Sequence, residues 1–545
     1  MSSIKNNEVK VEIIRLRNEG LSIRKLEEKM GIPRATIHDF LNRRTFAEFW
    51  EEYDKKPIAG GYMDDHHNEI LEFESEKYII TSAQNNTYVH RKFLETLEVA
   101  AEELNAKILV GTFSYNTRGF QNLEKGEGEW FDPKIVKYIT DKPVKLCNDL
   151  MFCGELNILP TAVSPFSGLN SYTKQRSGIV PHAKMQLESL PTHKSRPSRM
   201  MYSTGTVTQR NYVAKKAGQK AEFDHVFGAL IVEVDKKKGL SWVRQISADK
   251  DGSFYDLDKC YTVEGSFEHD GVLGVNYGDI HAEKEDEEIF NLSFGEREDS
   301  ILNALKPKYQ LIHDVLDFEA RNHHNIDDPH FMFKMHVENK GKVVDNIKCV
   351  ANTLNRMKRD FSKVVVVESN HDLALTSWLK KSDFKKDYEN AIFYLECQLA
   401  KYKSIQNKEK DFHLLEYAIK NLTGLGADDI QFLKTDESFV IGDSINGIEC
   451  GEHGHNGTNG TRGSINAFVK NGMKYNIGHS HTPCIRSGVY QAGVSGRMDM
   501  GYNIGSSSWA QSHIITYPNL KRAILTIKDG KYRGDMKSFS NVGDV

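Results

Sequence analysis

Five stretches of this sequence end an apolar run in side chains that bind metals or move protons: "GVLGVNYGDIHAE", "YQLIHDVLDFEA", "VVVVESNHDLALTSWL", "FVIGDSINGIECGEHGHNG" and "YNIGHSHTP". The first offers Asp279 and His281, two apart, so at the end of an extended strand both project to one side and can reach one ion. The second places Asp314 and Asp317 just beyond Leu311 and Ile312, and the third sets Asn370, His371 and Asp372 after four valines. The fourth reads as a hairpin with an Asn446-Gly447 turn, followed by His453 and His455, and the fifth repeats the two-residue spacing with His479 and His481. Carboxylate, imidazole and amide oxygen are intermediate-to-hard donors that suit manganese, iron or zinc; the set is too nitrogen-rich for a magnesium cage. One such fragment carries little, because a lone histidine is more often a satisfied structural residue than a ligand. Five in succession, each following a strand, are a strong signal.

Strands must therefore position this chemistry, and the valine run reads as a rigid central one. Earlier in the chain, "KYIITSA", "VHRKFLETLEVAAEELNA" and "KILVGTF" switch from period 2 to period 3.6 and back, a strand-helix-strand unit. No glycine fingerprint lies between its strand and helix, so nothing supports a dinucleotide site. Residues 223 to 268 return to β-like alternation. Residues 9 to 45 show three short amphipathic segments, with Gly20 and Gly31 at helix stops, Ser22 as a cap and Pro33 near the third start. That is the pattern of a helix-turn-helix, whose third segment would turn Arg34, Thr36, His38, Arg43 and Arg44 outward; a helical cap or oligomerisation element is the alternative. Residues 46 to 75 are acidic and irregular and read as a linker. Between residues 172 and 220 stand ten Lys or Arg, among them Lys194, Arg196, Arg199, Lys215 and Lys216, against one acid, Glu188. With Tyr172, Tyr202, Tyr212 and His193 interleaved, this reads as a surface for a polyphosphate, with a solvated loop region as the plainer alternative.

In order and spacing the five stretches resemble the calcineurin-like metallophosphoesterases, whose blocks run D-x-H, G-D-x-x-D, G-N-H-D/E, a strand-end histidine, and G-H-x-H. The resemblance covers residues 271 to about 530 and departs at His313 and Ser369, where that superfamily usually has glycine. It implies a four-layer β-sandwich flanked by helices and two divalent ions, manganese first, with zinc or iron as alternatives. Asp279, His281 and His481 would hold one ion, Asn370, His453 and His479 the other, and Asp314 both. His455 competes with His453, which stands immediately before a glycine as the superfamily's ligand does. His371 resembles the residue that stabilises the transition state or protonates the leaving oxygen, with Asp317 as its orienter; Asp372 reads as structural. His323 and His324 would sit near substrate phosphate, and a second metal cluster with His330 and His336 is not expected.

The expected organisation is α/β (α+β): a helix-turn-helix over 1–45, an α/β region over 46–270 containing the basic 172–220 segment, and the phosphoesterase domain over 271–545 with a helical insertion at 380–435. Net charge is −4 with 39% hydrophobic and 27% charged residues, which neither requires nor excludes nucleic acid. There is no apolar run of membrane-spanning length and no apolar leader, so the expectation is no membrane partner and residence in the cytoplasm. Seven scattered cysteines without a C-x-x-C pair read as reduced. The second acid of block two, Asp317, is phosphatase-like, whereas the helical N-terminus and the basic segment suit a polymer. As a whole chain the sequence resembles the pre-early proteins of T-five-like coliphages implicated in degrading host DNA. This implies a two-metal DNase in the infected bacterium, with DNA as partner and self-association compatible. A phosphatase or cyclic-nucleotide phosphodiesterase, and a DNA-binding regulator with an inert phosphoesterase half, are the alternatives.

Overall fold

A computed structural model describes residues 4, 7–43, 70–115, 129–322, 325–443 and 445–539. The chain forms two compact units, Met1–Glu69 and Ile70–Val545. In the first, helices Asn7–Asn18, Ile23–Met30 and Arg34–Arg43 enclose Ile13, Leu16, Leu26 and Ile37. Ser22 Oγ accepts the Lys25 N–H at 3.4 Å, and Gly31, at φ 66°, ends the second helix where a left-handed residue is needed. Arg34 is exposed at the start of the third helix and Arg43 closes it; Arg44 lies outside the described residues.

The second unit is built on a six-stranded mixed sheet. Its order is Ile430–Leu433, Lys363–Val367, Tyr309–His313, Gly274–Asn276, Ser512–Thr516 and Arg522–Thr526, the first four mutually parallel. β-Branched residues fit such a strand because both of its faces are buried. Val364, Val366 and Ile312 enter the core beneath helices Glu287–Phe294, Val343–Arg356, Asp372–Lys381 and Leu414–Leu422. Val365, Val367 and Leu311 point the other way and meet Ile441 and Ile448 of an eleven-stranded sheet. Because the strands are parallel, the loops after Asn276, His313 and Val367 leave from one edge.

The predicted strand-helix-strand unit is present as Lys77–Gln84, Arg91–Leu104 and Lys107–Phe113, in a four-stranded sheet with Gly228–Asp235 and Leu240–Ser247. This sheet adjoins the six-stranded one where the Ile524 N–H donates to Gln245 Oε1 at 2.8 Å. Both bury a face against the eleven-stranded sheet, joining Tyr78, Val232, Ile514 and Ile524 to Leu187, Tyr202 and Tyr490. The layers are thus helices, sheet and sheet, with the short helix Ile465–Val469 on the outer side of the last. The class is mixed α/β, as expected.

Three expectations change in detail. Residue 270 divides no sheet: Leu187–Leu190 pairs with Cys484–Arg486, so strands from either side of it share the eleven-stranded sheet. The 172–220 segment, whose plainer alternative was a solvated loop, carries the strands Ser177–Val180, Leu187–Leu190 and Arg199–Ser203 between its turns and loops. The 380–435 stretch is a crossover rather than an insertion, because its helices lead into Ile430–Leu433 at the sheet edge.

Candidate metal centre

The loops after Asn276, His313 and Val367 meet those that follow Ile448–Glu449 and Lys474–Ile477 of the eleven-stranded sheet, and together they gather the candidate metal-binding side chains. Asp279, His281, Asp314 and His481, all buried, each present a ligand atom within 4.8 Å of the others, and His281, Asp317 and His371 form an overlapping group. His481 Nε2 lies 3.2 Å from Asp279 Oδ2 and 3.0 Å from His281 Nε2. His281 Nδ1 is 3.1 Å from Asp317 Oδ1, which places the ring proton there and turns the Nε2 lone pair inward when the ring is neutral. His453 Nε2 stands 3.3 Å from Asp314 Oδ2, and its ring centroid is 5.2 Å from that of His479 and 5.4 Å from that of His455. The His479 N–H donates to Asp279 Oδ2 at 2.8 Å.

The backbone is bent to achieve this. His281, Asp314, His479 and His481 have φ of 46°, 47°, 75° and 56°, a left-handed region that costs a non-glycine residue on the order of 1 kcal/mol or more. Such conformations persist where the surroundings over-determine them. Gly478 must be glycine, since a Cβ there would collide with Asp279 Oδ1.

The donor set fits divalent ions on one observation above others. Asp279 Oδ1, Asp314 Oδ1, both ring nitrogens of His453 and His481 Nδ1 are buried polar atoms without a hydrogen-bond partner. Buried polar groups are normally satisfied, and carboxylates and imidazoles facing one another are satisfied by a shared cation.

Charge balance within the cluster is strongly perturbed. Burial works against the Asp314 carboxylate, yet His453 and His371 hold it well below the usual carboxylate range. His281 feels the same burial, but the bond to Asp317 and the charge of Asp314 push it up to about 9. His453 is raised by Asp314 and Asp279 against the cost of burial. His479 and His455 are pushed down to about 4, first by burial and then by the neighbouring His453.

His371 precedes the helix Asp372–Lys381, its ring edge-on to that of His281 at 4.9 Å. Its Nδ1 is 3.3 Å from the Asp317 carbonyl oxygen and 3.8 Å from Asp317 Oδ1. Asn370, on the turn just before, is exposed. Asp372 accepts the N–H groups of Leu316 at 3.1 Å and Ser369 at 3.0 Å, clamping two site loops together, while Ser369 Oγ accepts the Asp372 N–H at 3.1 Å. Ser369 thus takes part in a reciprocal cap at a position where glycine was the usual residue. His313, the other departure, packs its buried ring 5.6 Å from that of His453, and burial lowers it to about 4.

Two participants escaped sequence reasoning. Glu283 accepts the Asp317 and Phe318 N–H groups at 2.9 and 3.0 Å, and burial beside Asp317 pushes it up to about 8. Its one signal was its place two residues after His281. Trp509 packs edge-on against His481 at 4.2 Å, and nothing local in the sequence marks that contact.

The basic residues divide. Lys194 and Arg196 are exposed between the Leu187–Leu190 and Arg199–Ser203 strands, Lys194 pairing with Asp499 at 3.1 Å. Lys215 and Lys216 are exposed at the start of helix Lys216–Phe223. Arg199 is committed instead to the carbonyls of Asn170 and Lys174, and Lys184 to buried Asp224 at 3.0 Å, so both serve the fold. His330 and His336 are exposed, and His323 and His324 lie outside the described residues. No helix among the described residues is long and apolar enough to cross a membrane.

A search of curated proteins finds Protein A1 of Escherichia phage T5, 46% identical over 488 residues that span 88% of this chain and 86% of that protein. No protein-family model and no solved structure matches.

Proposed function

We propose that this chain, which belongs to the family of Protein A1 of Escherichia phage T5, is a dinuclear metal-dependent deoxyribonuclease that attacks host DNA early in infection, in the cytoplasm of the infected bacterium. The observation that carries the reading is the buried cluster of Asp279, His281, Asp314, His453 and His481, in which Asp279 Oδ1, Asp314 Oδ1, both ring nitrogens of His453 and His481 Nδ1 lack a hydrogen-bond partner. Asp279, His281 and His481 would hold one ion, Asn370, His453 and His479 the other, and Asp314 would bridge, with manganese, zinc or iron suited to these donors. Bound there, the ions would supply a hydroxide nucleophile at neutral pH and neutralise a phosphoryl oxygen.

The protein's own groups complete the site. Asp317 orients His281 and His371 at once, and with Nδ1 of His371 committed to Asp317, Nε2 is the nitrogen that faces substrate and protonates the leaving oxygen. Asp372 and Glu283 fix the two loops that carry these groups. The helix-sheet-sheet layering accords with a calcineurin-like metallophosphoesterase fold. Lys194, Arg196, Lys215 and Lys216 would track the DNA backbone; the helical N-terminal unit would contact DNA separately through Arg34 and Arg43, with Arg44 outside the described residues.

A small-substrate phosphatase or phosphodiesterase is the second reading, favoured by a carboxylate rather than a histidine at position 317. The deciding experiment compares duplex DNA with a small aryl phosphodiester under manganese, for wild type and Asp314→Ala. Turnover of DNA that the variant abolishes supports the nuclease. Turnover of the small ester alone supports the second reading, and turnover of neither by metal-loaded protein supports an inert domain on a DNA-binding regulator.

A further inference from the structure

Two aromatic rings lead outward from the metal centre along the segment that enters the Ser512–Thr516 strand. Trp509 packs edge-on against His481 at 4.2 Å, and Tyr502 meets Trp509 in turn at 5.8 Å. The planes of these two rings are inclined at 69°, so neither covers the other by stacking, and Tyr502 is left 52% exposed. Its hydroxyl is the sheltered end, donating to Sδ of buried Met500 at 3.0 Å. Burial, and after it the carboxylates of Asp317, Asp314 and Asp279, push that hydroxyl up, so the ring stands within reach of the cluster's charge. The loop that carries it is tied to itself. Asp499 Oδ1 accepts the Gly501 N–H at 3.0 Å, while Asn503 accepts the Met500 N–H at 3.1 Å and donates to the Met498 carbonyl at 2.8 Å.

The same segment is fastened to the basic turn between Leu187–Leu190 and Arg199–Ser203. Thr192 and Ser507 exchange backbone hydrogen bonds at 2.9 Å, Ser198 Oγ donates to the Trp509 carbonyl at 3.0 Å, and Lys194 pairs with Asp499 at 3.1 Å. Arg196 is exposed on that turn and donates to the uncharged side chain of Gln175; no ion pair among the described residues uses it. Candidate metal ligands, two rings and a cationic turn thus follow one another through direct contacts.

We propose that Tyr502 and Trp509 form a base-stacking subsite, on which an unpaired base flanking the scissile phosphate lies while the strand runs on toward Arg196. This deepens, and rests on, the nuclease reading of the metal centre. A bare phosphate has no use for an aromatic ring, and a base inside a duplex offers its face to its neighbours in the stack. A single strand, or a locally unpaired one, presents a base face and a negative charge at every nucleotide, which is what rings beside cations recognise. Tyr502 is then a substrate-binding residue that selects unpaired DNA.

Fluorescence anisotropy on the full-length protein with manganese tests this, using a labelled single-stranded phosphorothioate oligonucleotide, whose linkages resist cleavage, and an abasic strand of the same length and charge. Wild type should bind the base-bearing strand on the order of tenfold more tightly than the abasic one. Tyr502→Ala should lose that preference with manganese binding unchanged, and Tyr502→Phe, which keeps the ring, should retain it. The abasic comparison needs no substitution, so it decides even if Tyr502→Ala disturbs the loop. Equal binding of the two strands by wild type, or a preference that survives Tyr502→Ala, overturns the subsite. An effect of Tyr502→Ala on the KM for a small aryl phosphodiester, with none on either strand, overturns it in favour of an aryl ester. A Tyr502-dependent preference in a protein that cleaves no DNA upholds base stacking and refutes the nuclease reading instead.

Discussion

Loading metal into the Asp279–Asp314 cluster must expel protons, and the structure sets how many. Metal ligation needs neutral imidazole. In the metal-free protein burial works against the charged His281 ring, but Asp317 and Asp314 hold it at about 9, so near neutral pH it is mostly protonated and gives up close to one proton. His453, raised by Asp314 and Asp279, adds up to one more, whereas His479, pushed down to about 4, is already neutral and adds none. Calorimetric titration with manganese in buffers of different ionisation enthalpy should therefore report between one and two protons released per chain. Affinity should rise about tenfold per pH unit for each proton displaced between pH 6.5 and 9. Asp314→Asn removes the charge that raises both imidazoles and should reduce the release. The same shift contributes to the metal-free protein's stability. The folded value for His281, about 9, lies above its ordinary 6.5, so its stabilisation, on the order of 3 kcal/mol, is fully present below pH 6.5 and lost as pH rises through about 9. Metal-free protein should thus lose this contribution on going from pH 6 to pH 9.5, whereas stabilisation by added metal should grow over that range. Binding without proton release, or affinity independent of pH, would refute the protonation pattern.

Other perturbations separate the roles. His371→Ala should leave metal binding intact and slow DNA cleavage about 10²–10⁴-fold, read as kcat against bound manganese; wild-type turnover would remove His371 from the reaction. Asp372→Ala leaves the buried Leu316 and Ser369 N–H groups unpaired, so thermal unfolding should show a loss of about 1–3 kcal/mol for each group that stays unsatisfied. Charge reversal at Lys194, Arg196, Lys215 and Lys216 should weaken DNA binding and flatten its salt dependence, while a small diester is cleaved as before. Arg199→Ala, which unties the Asn170 and Lys174 carbonyls, should lower thermal stability without changing the salt slope.

What the sequence discloses and what it hides follow from the range of the interactions involved. Val364 to Val367 were legible as a buried strand because β-branched runs suit a strand with two covered faces, and Asp279 with His281 because a spacing of two sets side chains on one side. The sheet that crosses position 270 was not legible, since the pairing of Leu187 with Ile485 is decided by tertiary packing. Ile430–Leu433 was absorbed into a helical stretch because a four-residue apolar run cannot be told from a helix turn by periodicity. Charge counting found the basic segment but could not see that Asp224 neutralises Lys184 or that carbonyls hold Arg199. At the site, residue types announced the ligands, whereas the left-handed backbone at His281, Asp314, His479 and His481 belongs to the loops' packing and leaves no local signature.

The most direct test is a manganese count by equilibrium binding and electron paramagnetic resonance on metal-stripped wild type and Asp314→Asn. Two magnetically coupled ions per wild-type chain are expected, with loss of the coupled pair in the variant. Wild type that binds no manganese, or a variant that keeps the coupled pair, would contradict that expectation.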